Sequence, residues 1–208
     1  MISVSILGIK ENKINNYKKI DNTSCDLIHL DVMDGQFVEN KIDFDFNYNF
    51  NKKIDIHLMV NNVKEYVEKY KILNPSYITF HIETGNTDEL IKIIKENNIK
   101  VGISIKPNTD INILNKYLPY IDLVLVMSVE PGKGGQKFIE NSTNRIKYLK
   151  KLREENNYNY LIEVDGGINI DTIDLVSDAD IKVVGSYITS SDNYEDKIAK
   201  LKKTIIEL

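Results

Sequence analysis

The sequence predicts an α/β fold: a single (β/α)8 TIM barrel over residues 1–208, with eight parallel strands closed into a ring inside a layer of helices. Three observations carry that prediction. Short runs rich in β-branched residues recur eight times. Amphipathic segments separate several of them, and polar residues gather at the C-terminal ends of the runs, where such barrels carry their chemistry. Strand–helix alternation implies parallel strands joined by right-handed crossovers. Eight units favour a closed ring over an open doubly wound sheet, and 208 residues sit near the lower size of about 200 for that architecture.

In order, the strands are expected at 2–7, 27–31, 54–58, 77–81, 100–105, 123–127, 161–165 and 182–185. The second is the clearest. In "IHLDVMDG" (28–35), Ile28, Leu30 and Val32 alternate with His29, Asp31 and Met33 until Gly35 ends the run. Period two is the mark of a strand with two different faces. The stretch 36–53 reads as a loop with a short helix. Helices follow at 63–73, 87–98, 144–156 and 194–208, and Thr87 with Asp88 and Glu89 forms a helix start.

Composition narrows the function classes. A net charge of −4 argues against nucleic acid, whose phosphates call for a basic face. One cysteine, Cys25, excludes an internal disulfide framework and fits a reducing, cytoplasmic setting. Residues 1–20 lack the apolar core of a signal peptide, and no apolar run reaches the roughly 18 residues of a membrane span.

Both faces of a parallel barrel strand are dry, one against the helices and one inside the ring, so interior polar groups need a reason. The chain's three histidines, His29, His57 and His81, all fall at or near strand C-termini. His29, Asp31, His57 and Asp165 can converge on one divalent cation as two imidazoles and two carboxylates, a mixture that suits Zn²⁺, Fe²⁺, Mn²⁺ or Co²⁺. Each residue alone reads as a satisfied buried polar group; four at one rim favour the metal. His81 is assigned a structural or supporting role. Met33, Met59 and Met127 also fall at strand ends, as gap-filling side chains and as a dry lining. Glycines cluster after the last three strands, in "EPGKGGQ" (130–136), "DGG" (165–167) and "GS" (185–186), where backbone N–H groups can cradle a phosphate.

With these residues in view, the chain resembles the ribulose-phosphate 3-epimerase family. The resemblance rests on "SIL" (5–7), "IHLDVMDGQFV" (28–38), "DIHLMV" (55–60), "ITFHIE" (78–83), "VGISIKP" (101–107), "LVMSVEPGKGGQKFI" (125–139), "IEVDGG" (162–167) and "VVGS" (183–186), which run in family order over nearly the whole chain. It implies a barrel with one divalent metal ion per subunit, held by His29, Asp31, His57 and Asp165, and acid/base roles for Asp31 and Asp165. It places substrate contacts on Ser5, His57, Gly132, Lys133, Gly134, Gly135, Asp165, Gly166, Gly167, Gly185 and Ser186. It further implies a small sugar-phosphate substrate and homo-oligomers. The chain departs from the family at Val4, where proline is usual, and at "ENKIDFD" (39–45), in the segment that shapes the loop over the site. Lys133 replaces an aromatic, and Tyr187 stands where a small residue is common.

The expected reaction interconverts D-ribulose 5-phosphate and D-xylulose 5-phosphate through an enediolate. Inverting C3 requires the proton to leave one face and return to the other, hence two carboxylates, which the strand order was expected to hold well apart around the ring. Two rivals stand beside this reading. One is a 3-epimerase of a hexulose 6-phosphate, of the allulose 6-phosphate type; the other is a phosphosugar-binding barrel without catalysis.

Overall fold

The computed structural model describes residues 1–44 and 47–207. Eight parallel strands close into a ring: β1 (Ile2–Ser5), β2 (Leu27–Asp34), β4 (Lys53–Met59), β5 (Tyr77–His81), β6 (Lys100–Ile105), β7 (Leu123–Met127), β8 (Leu161–Asp165) and β9 (Ile181–Val184). Each pairs with its neighbours in that order, and β1 joins both β2 and β9, which seals the seam. The two-residue strand β3 (Lys41–Ile42) folds back antiparallel on the end of β2, Met33 opposite Ile42.

Alternation along the strands builds two apolar layers. Ile28, Leu30 and Val32 of β2, Ile56 and Leu58 of β4, and Val101, Ile103 and Ile105 of β6 point outward and are buried under the helices. Their partners there include Val67 and Tyr70 of α2 (Val63–Tyr70), Leu90 and Ile94 of α3 (Thr87–Glu96), Ile146 and Leu149 of α4 (Ser142–Asn156), and Ile198 and Leu201 of α6 (Tyr194–Ile206). Each such side chain contributes about 1.5–3 kcal/mol through removal from water. The other strand face fills the ring, with Leu27, Tyr77, Leu123, Leu125, Met127 and Ile181 as a separate apolar cluster. The polar residues lie on that same inner face.

Seven of the expected strands agree within two residues at either end, and β2 runs three residues further than expected. The crossovers differ more. Helix α1 (Lys13–Asp21) was not foreseen, because only Tyr17 and Ile20 of its nine residues are buried and the rest are mostly Lys and Asn. The connection after β6 holds two 3₁₀ turns, Ile111–Leu114 and Leu118–Tyr120, and that after β8 a single one, Ile173–Val176, in place of α-helices. Among the described residues of 36–53 there is no helix; β3 takes its place, and positions 45 and 46 of that segment lie outside the described residues. Position 208, the last of the expected C-terminal helix, does too. The abundant asparagine has a structural use: Asn12, Asn74, Asn86, Asn98 and Asn157 all take left-handed backbone at helix boundaries, a conformation asparagine tolerates better than most side chains. The short helix α5 (Ser186–Thr189) follows β9 directly.

Candidate active site

Register brings the polar residues together. Asp31 on β2 lies opposite His57 on β4, and His29 lies opposite Asp55. Asp165 ends β8, three strands from β2 around the ring. One ligand atom from each of His29, Asp31, His57 and Asp165 lies within 4.8 Å of all the others. Oδ1 of Asp31 is 3.4 Å from His29 Nε2 and 3.2 Å from His57 Nδ1. The two aspartates stand on strands three apart around the ring, as expected, yet an oxygen of each lies within 4.8 Å of the other.

The four residues fit a divalent cation. His29 Nε2 is buried and makes no hydrogen bond, a costly condition for an imidazole nitrogen unless a ligand takes its lone pair. Donors bonded to one ion at about 2.0–2.2 Å lie within about 4.4 Å of one another, so a small inward movement completes the set. The mixture of two imidazoles and two carboxylates is one that divalent transition metals accept.

Other side chains set the orientation of these donors. Ser5 Oγ donates to Asp31 Oδ2 at 2.8 Å. His29 Nδ1 meets Asp55 Oδ2 at 2.7 Å, which leaves Nε2 as the nitrogen turned toward Asp31. Glu163, fully buried, lies near the same pair; ligand atoms of His29, Asp55 and Glu163 also fall within 4.8 Å of one another. Burial, and then the Asp55 charge, push the Glu163 carboxyl well above the usual range. On the other side, His57 Nε2 faces His81 Nε2 at 2.9 Å, and His81 Nδ1 lies 3.2 Å from Glu83 Oε2.

Electrostatics separate the two aspartates. Burial works against the Asp31 charge, but His29 and His57 outweigh it and hold the carboxyl well below the usual range. Asp165 is pushed up to about 6, by burial and then by the charge of Asp31. Burial alone would lower His29, yet Asp55 and Asp31 raise it well above an ordinary imidazole. His81 is lowered to about 4, chiefly by burial.

Above this floor opens a cavity of about 860 Å³. Asp31, Asp165, Ser5, Met33, Met59 and Met127 line its base, and the three methionines are at most 2% exposed, a dry boundary. Gly132, Lys133, Gly134 and Gly135 line one wall, and Gly166, Gly167, Gly185 and Ser186 another, joined by Tyr187. His29 and His57 are fully buried and do not line the cavity, whereas Asp31 does. Gly167 has φ +67°, and a Cβ on it would lie 2.6 Å from the Phe138 backbone nitrogen, so only glycine fits the turn.

Several lining residues were not singled out from the sequence. Asn40 reaches over the cavity and donates to the Gly132 carbonyl at 2.7 Å, bridging the loop after β2 to the glycine turn. Lys10 and Lys41 line the same opening. Asp55 and Glu163 were also missed, although each stands two residues before a donor, the spacing that marks one strand face.

Comparisons with known proteins find a matching family and structures of similar fold. The profile of the ribulose-phosphate 3 epimerase family matches residues 1–189. A ribulose-phosphate 3-epimerase of Buchnera aphidicola (subspecies Acyrthosiphon pisum) is 36% identical over 197 residues, covering 90% of this chain and 86% of the relative. That of Aquifex aeolicus is 38% identical over 190 residues, covering 88% of this chain and 86% of the relative. Among solved structures, KGPDC from Streptococcus mutans superimposes with a TM-score of 0.72 at 13% identity over 99% of this chain and 97% of that one, a likeness of fold.

Proposed function

Because the chain belongs to the ribulose-phosphate 3-epimerase family, we infer that it interconverts D-ribulose 5-phosphate and D-xylulose 5-phosphate by moving a proton off and onto C3. The observation that carries this reading is the meeting of Asp31 and Asp165, in unlike surroundings, with His29 and His57 at the floor of one cavity.

A proton next to a ketone is weakly acidic, so its removal needs a placed base and compensation for the charge that develops. Asp31, held ionised between two imidazoles and Ser5, takes the C3 proton of ribulose 5-phosphate. The electron pair of the broken C–H bond moves toward the C2 oxygen, giving a planar enediolate. Asp165, which holds a proton more readily than Asp31 does, returns a proton to the opposite face of C3. The reverse reaction exchanges the two roles. His29, Asp31, His57 and Asp165 would hold one divalent ion, Zn²⁺, Fe²⁺, Mn²⁺ or Co²⁺, which when bound supplies positive charge against the developing enediolate.

The remaining residues bind and shield. Met33, Met59 and Met127 exclude water from the flat intermediate. The turns at Gly166–Gly167 and Gly185–Ser186, with the 132–135 turn, offer backbone N–H groups to the phosphate. The same reading takes the chain as one domain that works in the cytoplasm as a homo-oligomer, which light scattering of the purified protein tests.

The decisive experiment is a coupled assay on D-ribulose 5-phosphate with protein stripped by chelator and reloaded with each metal in turn. Metal-dependent formation of xylulose 5-phosphate is the expected result. Turnover of allulose 6-phosphate in its place would reassign the substrate, and tight phosphosugar binding without turnover of either would remove the enzyme reading.

A further inference from the structure

Two neutral imidazole nitrogens can hydrogen-bond only if one carries the proton and the other offers its lone pair. The 2.9 Å contact between Nε2 of His57 and Nε2 of His81 therefore poses a choice with consequences. If His57 accepts, its own proton sits on Nδ1 and points at Asp31 and the other donors. If His57 donates, Nδ1 presents a lone pair to them. Only the second state lets His57 act as a ligand.

The choice is made two residues away. His81 Nδ1 lies 3.2 Å from Glu83 Oε2, and a carboxylate only accepts, so the His81 proton lies on Nδ1 and its Nε2 is the acceptor. Glu83 is itself fixed: its Oε1 accepts from the Lys106 backbone N–H at 2.8 Å and from Thr109 Oγ1 at 2.6 Å. The turn that carries those donors is pinned by Arg145 of α4, whose guanidinium donates to the carbonyls of Lys106, Pro107 and Thr109 at 3.2, 3.0 and 2.8 Å. Phe37 covers the His81 ring, with centroids 4.7 Å apart, and the Lys106 ammonium sits 4.0 Å above Phe37.

We propose that Glu83, acting through His81, is a positioning residue that sets the tautomer of His57 and thereby couples the 106–109 turn to the metal centre. The proposal rests on the reading of His57 as a metal ligand given above.

Glu83→Gln tests it sharply. The Lys106 N–H is a fixed donor and claims the amide oxygen, which turns the amide NH₂ toward His81 Nδ1. His81 must then accept at Nδ1 and donate from Nε2, and the proton of His57 moves to Nδ1. In the metal-free protein Asp31 Oδ1 also faces His57 Nδ1, at 3.2 Å, so the readout is His81: ¹⁵N–¹H spectra of the histidine rings should show its proton on Nδ1 in the wild type and on Nε2 in the variant. The Kd for Zn²⁺ should rise about 10–100-fold, the range for loss of a group that orients a ligand. A purely structural Glu83 would lower the melting temperature and leave the tautomers alone. Thr109→Val, which removes one bond to Glu83 Oε1, should raise the Zn²⁺ Kd in the same direction by less; it carries the test if Glu83→Gln does not fold, and an unchanged Kd there overturns the proposal. Wild-type protein that binds Zn²⁺, with Glu83→Gln matching it in both tautomer and Kd, also overturns it. Wild-type protein that takes up no divalent metal fails the metal reading, and the proposal with it.

Discussion

Asp55 Oδ2 lies 2.7 Å from Nδ1 of His29, and neither residue has any exposed surface. A carboxylate behind an imidazole fixes the ring and strengthens its other nitrogen as a ligand. Asp55→Asn keeps the shape but weakens that support, and it should lower divalent metal affinity by about 10–100-fold. Competition against a calibrated chelator measures the change; equal affinities would show that Asp55 only fills space.

Asp31→Asn and Asp165→Asn should each lose activity on the order of 10²-fold or more, the usual contribution of a placed acid or base. Exchange of the C3 proton with deuterated solvent, followed from each substrate, separates the two roles. Near-normal turnover in either variant would remove the two-carboxylate scheme.

Asn40 and Gly132 hold two loops together over the cavity through one 2.7 Å bond. Removing it with Asn40→Ala loosens the cover and leaves the chemistry in place. The KM for the sugar phosphate should rise roughly two- to tenfold, the worth of one ordinary hydrogen bond, while kcat changes less. Steady-state kinetics decide this, and a fall in kcat alone would contradict it.

Gly167 and Gly135 share left-handed backbone, at φ +67° and +73°, but only Gly167 has its Cβ position blocked, by the Phe138 backbone. Gly167→Ala should cost more than the roughly 1–3 kcal/mol of the backbone conformation alone, and Gly135→Ala should cost no more than that. Urea denaturation of the two variants makes the comparison.

Glu83 is held down to about 2, against an ordinary 4.5, because the bonds from His81, Thr109 and the Lys106 N–H overcome the opposing effect of burial. A depressed carboxyl stabilises the fold fully above its unfolded value and loses that contribution as pH falls through the folded value. The stability gap between wild-type and Glu83→Gln metal-free protein should therefore be widest above pH 4.5 and shrink toward pH 2. Urea midpoints across that window test it, and a constant gap would show that the Glu83 charge plays no part.

The ring of strands was legible because each apolar run is buried on its outward side whatever else the chain does. Crossovers were legible where an apolar stripe exists, as in α3 with Leu90, Ile91 and Ile94, and not in α1, where two buried residues leave almost no pattern. The four residues that meet at the cavity floor could be read because a dry barrel interior makes each polar residue conspicuous. Asp55 and Glu163 followed the same period and could have been found. The links from Glu83 to Lys106 and Thr109, and from Asn40 to Gly132, join loops far apart in sequence, and no local spacing announces them.

The donors are divided unevenly along the chain: residues 29, 31 and 57 come from β2 and β4, and residue 165 from the end of β8. β1 also waits for β9 before the seam can close. A nascent polypeptide therefore leaves the ribosome with three quarters of its cation cradle long before the last quarter is made. With these four residues as the proposed ligands, capture of the ion would be a late event in biogenesis, and a product that stops before residue 165 would lack one of them.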